Sequence, residues 1–108
     1  MPRAARQYDI YLPLAFNDGR PIPKGHFVTV ERRLLAQFPG VTSQKREFPM
    51  RGIWVDQNHV YHDHVIVITC LDFRKRGSTR FIVELKQYLL HEFEQLEILI
   101  TETSLRVH

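Results

Sequence analysis

The sequence predicts an α+β domain of β-α-β-β-α-β order, the ferredoxin-like plait, in which a four-stranded antiparallel sheet carries two helices on one face. Two apolar stripes at helical spacing, one in each half of the chain, predict the helices. A segment from Arg51 to Asp72, read as two strands joined by a polar turn, predicts a central hairpin. The alternating runs near each end predict the outer members of the order. The length of 108 residues fits a single domain spanning 8–108, with a short flexible tail at 1–7.

The first strand is read from Tyr8 to Leu14, where Tyr8, Ile10, Leu12 and Leu14 fall on one face. Pro13 cannot donate to a ladder, so pairing on one side is expected to stop there. Asn17-Asp18-Gly19 and Pro21-Ile22-Pro23 make a turn-rich loop. A helix is expected from Lys24 to Phe38, on the stripe Phe27, Val30, Leu34 and Phe38 with Leu35 beside it, and Pro39-Gly40 ends it. Residues 41–49 show no period and read as a loop.

The hairpin turns at Asp56-Gln57-Asn58-His59, and its second strand is apolar at every position from Val65 to Ile68, as expected of a central strand covered on both faces. Ser78 or Thr79 is expected to cap a second helix, with the stripe Phe81/Ile82, Leu85, Leu89 (with Tyr88) and Phe93. The last strand is read from Glu97 to Val107. In this topology one sheet face has no helix over it. A second copy of the chain is the simplest cover, so a homodimer through the open sheet face is expected.

Composition narrows the function classes. A net charge of +3, from 15 basic and 12 acidic residues, is too small to argue for nucleic acid, and no apolar run is long enough for a membrane helix. One cysteine excludes an internal disulfide and suits a reducing cytoplasm; no apolar segment follows the basic N-terminus as a secretory signal requires. No cofactor signature appears. Cys70 sits among Ile68, Leu71 and Phe73 and reads as core, and no nucleophile–base order with a recognisable turn is present.

Three constellations remain. Asn17 and Asp18, with Arg51, Trp54, Tyr61 and Asp63 from the hairpin, could line one ligand pocket, with aromatic walls and Arg51 as an anion anchor. Arg74, Lys75, Arg76 and Arg80 surround the start of the second helix, whose free N–H groups would favour a phosphate. His62 and His64 share a strand face as a metal pair could, although their spacing matches no known signature. RNA recognition on the sheet is disfavoured, since the apolar central strand has no aromatic platform.

The runs 8–14, 17–23, Phe38-Pro39-Gly40-Val41-Thr42, Gly52-Ile53-Trp54 and Tyr61-His62-Asp63, with Phe81 to Lys86, Phe93-Glu94-Gln95 and 98–101, make the chain resemble a family of small uncharacterised bacterial proteins. The resemblance spans about residues 8 to 102. It implies a bacterial or phage-type cytoplasmic protein without an established activity, and it supplies no catalytic residues. On the hairpin, Trp54, Tyr61 and Asp63 belong to the pattern. The resulting expectation is a non-catalytic dimeric binding protein that uses the 51–72 hairpin and the 17–23 loop. Two alternatives stay open: a dimeric α+β barrel enzyme acting on a small molecule, and phosphate or nucleic-acid binding through the 74–80 loop.

Overall fold

The computed structural model describes residues 2–56, 59–74 and 77–108, with side chains for all of these outside 43–64. The order is β1 (Arg3–Pro13), α1 (Lys24–Gln37), β2 (Gly40–Asp56), β3 (His59–Asp72), α2 (Thr79–Glu92) and β4 (Ile100–Val107). The strands form one antiparallel sheet in the order β2-β3-β1-β4, so the ferredoxin-like arrangement expected from the sequence is the one observed.

The two inner strands set the core. β1 turns Tyr8, Ile10 and Leu12 to the helices, and β3 adds Ile68 and Cys70, all essentially without exposed surface. The α1 stripe (Phe27, Val30, Leu34) and the α2 stripe (Leu85, Leu89) enter the same cluster, together with Phe38, Phe93 and Ile98. Both helices therefore cover one face of the sheet. Edge-to-face contacts of Phe27 with Phe93 (5.4 Å) and of Phe38 with Phe81 (5.5 Å) lock the helix ends together. Arg33 lies 3.8 Å over the Tyr88 ring and bridges the helices on their wet side. Leu35, read beside the α1 stripe, is instead 60% exposed because it falls outside the arc that faces the sheet.

On the opposite face Val67 stands across from Tyr11, and Val65 across from Pro13. Val65 and Val67 are buried and Tyr11 and Leu71 half-buried, although both helices lie on the other side. At its centre Asp9 accepts hydrogen bonds from the Thr69 hydroxyl (2.7 Å) and the Gln7 amide (3.2 Å).

Three boundaries differ from the sequence reading. β1 begins at Arg3, so residues 3–7 are strand and not tail; they pair with Thr103–Val107 of β4 across a full antiparallel ladder. Residues 41–49 are part of β2 and not a loop. The ladder with β3 breaks between Arg46 and Arg51, where only one step of β3 is taken, from Val65 to His64. Four extra residues including Pro49 fall in that break, which erases the alternation that would mark a strand. β4 starts at Ile100, not Glu97, because Ile98 is drawn into the core and Lys86 holds Glu97 at 2.8 Å.

Past the break, Arg51–Asp56 pairs with His59–His64 while β1 has already ended opposite Val65. The hairpin is therefore a two-stranded ribbon projecting beyond the four-stranded sheet, and it accounts for the long axis of 47 Å against 27 and 25 Å.

Deleting residues 2–7 removes the outer half of the β1–β4 ladder and the buried Ala5. It is expected to lower unfolding free energy by about 2 kcal/mol or more, read as a lower urea midpoint. An unchanged midpoint would mean that this segment behaves as a tail.

Candidate functional site

The topology sends three connections to one end of the sheet. β1 ends there, β4 begins there, and the hairpin leaves from there. The 14–23 loop is closed on itself by Ile22 N–H donating to the Leu14 carbonyl (2.9 Å) and Phe16 N–H to the Arg20 carbonyl (2.8 Å), with Gly19 at φ +90° making the turn. Phe16 and Ile22 anchor the loop in the core.

This loop meets the end of α2. The Asn17 amide donates to the Glu94 carbonyl (3.2 Å), and Arg20 lies 4.7 Å over the Phe16 ring with its Nη2 3.7 Å from the Glu94 carboxylate. Asp18 accepts the Arg20 backbone N–H (3.0 Å) and its guanidinium. Those two bonds hold the Asp18 carboxyl below the usual range, and the pairing raises Arg20. Phe16, Asn17, Asp18, Arg20 and Glu94 line a cleft of about 210 Å³. It holds two carboxylates against one guanidinium.

Among the described residues Glu94 is the one non-glycine residue at positive φ. α2 ends in a Schellman motif: Gln95 N–H donates to the Leu90 carbonyl (3.0 Å) and Glu94 N–H to the His91 carbonyl (3.2 Å). Glu94 occupies the left-handed position at φ 50°, where glycine is usual. Of the residues singled out in the sequence, Asn17 and Asp18 are in this cleft. Arg51, Trp54, Tyr61 and Asp63 have side chains outside the described residues, as do His62 and His64. By backbone register Trp54 pairs with Tyr61, Arg51 with His64, Ile53 with His62 and Gly52 with Asp63. Among the described residues no group of three or more His, Cys, Asp or Glu could hold a metal ion. Arg20 and Glu94 were missed. The Asp18-Gly19-Arg20 turn and Glu94 directly after the α2 stripe are the signals that could have found them.

The opposite end of the sheet carries a second, more open cleft of about 560 Å³, lined among others by Gln37, Arg74, Gly77, Ser78, Arg80 and Glu84. Two of its lining residues, Arg74 and Ser78, bond to Asp72, a carboxylate with 1% of its surface exposed. Asp72 accepts the Ser78 hydroxyl (2.9 Å) and the Arg74 backbone N–H (3.0 Å). The Arg74 guanidinium donates to the Ser78 hydroxyl (3.1 Å) and to the Gln37 carbonyl at the end of α1 (2.7 Å). Ser78 holds the N-cap position, but its hydroxyl turns to Asp72 and caps nothing, which departs from the expected side-chain cap. The buried Tyr8 hydroxyl receives the Ser78 N–H (3.4 Å) and lies beside Glu102; burial foremost pushes its pKa up.

Of the four cations expected to hold an anion here, Arg74 is thus tied to Gln37 and Ser78, and Arg80 is highly exposed and paired with Glu84 one turn on. Lys75 and Arg76 lie outside the described residues.

Cys70 is fully buried between the sheet and the helices, and burial, reinforced by the charge of Asp9, pushes its thiol up to about 12. It offers no nucleophile at neutral pH.

The comparisons with known proteins fit the α+β plait. No family model matches the chain, and no curated protein matches it. Among solved structures the chain is similar to a phage SAM lyase in complex with S-methyl-5'-thioadenosine, at 14% identity and a TM-score of 0.63. The likeness covers 95% of this chain and 88% of that one, and it shows the fold.

Glu94→Gly is expected to stabilise the protein by about 1 kcal/mol by removing a left-handed non-glycine residue, read as a raised melting temperature. A lowered one would show that the Glu94 side chain matters more to the fold than its backbone strain. A second expectation concerns pH. The Cys70 thiol titrates higher folded than unfolded, so the stability linked to it is complete below about 9 and lost as pH rises toward 12. Cys70→Ala, compared with wild type in urea melts across that window, should flatten the fall.

Proposed function

We propose that this chain binds and acts on a small molecule of the sulfonium or thioether nucleoside class, at the sheet end where the hairpin, the 14–23 loop and the α2–β4 connection converge. The observation that carries the reading is the likeness, over nearly the whole chain, to a lyase holding S-methyl-5'-thioadenosine. Asn17, Asp18, Arg20 and Glu94 form the described wall of the site. Arg51, Trp54, Tyr61 and Asp63 are included in the proposal on residue type: aromatic residues suit a purine ring, and charged ones its polar substituents.

The chemistry suits a site with few ionisable groups. Cleavage of the sulfonium carbon–sulfur bond sends the bonding pair to sulfur and releases a neutral thioether, while the substrate's own carboxylate oxygen bonds to the carbon and closes a lactone, so no nucleophilic side chain is needed. What the protein contributes is orientation and a negatively biased cleft for the cation. The excess of carboxylate over guanidinium in the cleft supports that role, as does a backbone strain kept at Glu94. No described helix is long and apolar enough to cross a membrane, and a cytoplasmic location belongs to the same proposal. Binding without turnover, by the same residues, is the second reading. The anion reading at 74–80 has less support, because Asp72 stands behind the lip and Arg74 is already committed.

The test is incubation with S-adenosylmethionine and chromatographic detection of S-methyl-5'-thioadenosine, with calorimetric titration of each compound in parallel. Release above the protein-free control is expected, reduced at least tenfold in Asp18→Asn and Glu94→Gln. Saturable binding with no release would favour the binding reading. If neither compound bound nor reacted, the proposal would fail.

A further inference from the structure

We infer that the outer edge of β4 is an interface for a second copy of the chain, joined antiparallel about Ser104 to give one continuous eight-stranded sheet. This stands apart from the ligand site. Among the described residues β4 pairs with β1 alone. Its eight residues, Ile-Thr-Glu-Thr-Ser-Leu-Arg-Val, include no proline or lysine and its ladder has no bulge; of the devices that blunt an edge it carries only the charges of Glu102 and Arg106, which are of opposite sign. The other edge strand, β2, has Lys45, Pro49 and the register break between Arg46 and Arg51. Only one of the two edges is left open to pairing.

The hydrogen-bonding phase decides which residues face outward. Tyr11 N–H donates to the Leu99 carbonyl (3.0 Å), so Leu99 directs its backbone groups to β1. Ladder residues alternate, so 101, 103, 105 and 107 also face β1. Ile100, Glu102, Ser104 and Arg106 then present their N–H and C=O groups to the outside. A two-fold axis at Ser104 pairs these outward residues with each other. It sets Glu102 opposite Arg106 of the second copy, and Arg106 opposite Glu102, so one symmetric contact makes the ion pair twice.

The neighbouring registers lose this match. Centring on Glu102 or on Arg106 puts like charges face to face, and centring on Thr103 sets Glu102 against serine and Arg106 against isoleucine. Glu102, Ser104 and Arg106 are all exposed in the single chain. Charge pattern and hydrogen-bond phase thus select one register, and it is self-complementary.

Sedimentation of the wild type at micromolar concentration is expected to give twice 12.8 kDa. Glu102→Lys and Arg106→Glu should each weaken the dimer at least tenfold, and the double variant Glu102→Lys/Arg106→Glu should restore it. Ser104→Pro, which removes an outward N–H without touching the β1 ladder, should give the 12.8 kDa species with unchanged circular dichroism. Should Ser104→Pro fail to fold, the charge reversal and its rescue still decide. A wild type at 12.8 kDa overturns the inference. So does a dimer that ignores all three edge variants and is broken by Tyr11→Lys or Leu71→Lys, which would assign the contact to the open sheet face instead.

Discussion

Everything in this fold rests on the pairing of β1 with β3. The two strands run antiparallel from Arg6 opposite Asp72 to Pro13 opposite Val65, and on the side facing the helices Tyr8, Ile10, Leu12, Ile68 and Cys70 are buried and Ile66 partly so. That surface is the seat for both helices. Each helix is 14 residues long, and helices of that length are marginal in water without packing. Their stability comes from laying Val30, Leu34, Leu85 and Leu89 onto Tyr8, Ile10, Leu12, Ile68 and Cys70. A cavity anywhere in that seat would be felt by both helices at once.

The two ends of the sheet have different physical characters. At one end Asp72, Arg74, Ser78 and the Gln37 carbonyl form a closed circuit of hydrogen bonds around a buried carboxylate. Because the buried carboxylate accepts two hydrogen bonds and the Arg74 guanidinium donates two, the circuit fixes the β3–α2 connection against the end of α1. At the other end the charged groups are solvent-exposed: Arg20 is paired closely with Asp18 and stands 3.7 Å from Glu94. Exposed pairs of this kind hold little stability, so their side chains are available to a ligand. Rigidity at one end and available charge at the other is a reasonable division for a protein whose sheet presents a site.

The order and approximate positions of the six elements were legible in the sequence because the helices and the inner strands obey a single burial period. The pattern failed at the start of β1, which pairs there with β4 alone, and along the edge strand β2. Residues 3–7 were read as a tail because Arg-Ala-Ala-Arg-Gln has no alternation of large apolar groups; they become strand only because β4 supplies a ladder. Residues 41–49 were read as a loop because a four-residue break in the ladder interrupts the period.

What the sequence determined by itself was the plait: two helical stripes, one fully apolar inner strand, and turn residues between them. Composition and periodicity are local quantities, and they suffice where burial is one-sided and regular. Only the tertiary structure decided how polar groups are spent. Arg74 reads as a free cation until its carbonyl partner, 37 positions earlier in the chain, is brought beside it. Asn17 and Glu94 are separated by 77 positions, and their meeting depends on β1 ending where β4 begins. Long-range pairing of that kind follows from topology and not from spacing, so the cleft that carries the proposed function could be read only in part from the sequence.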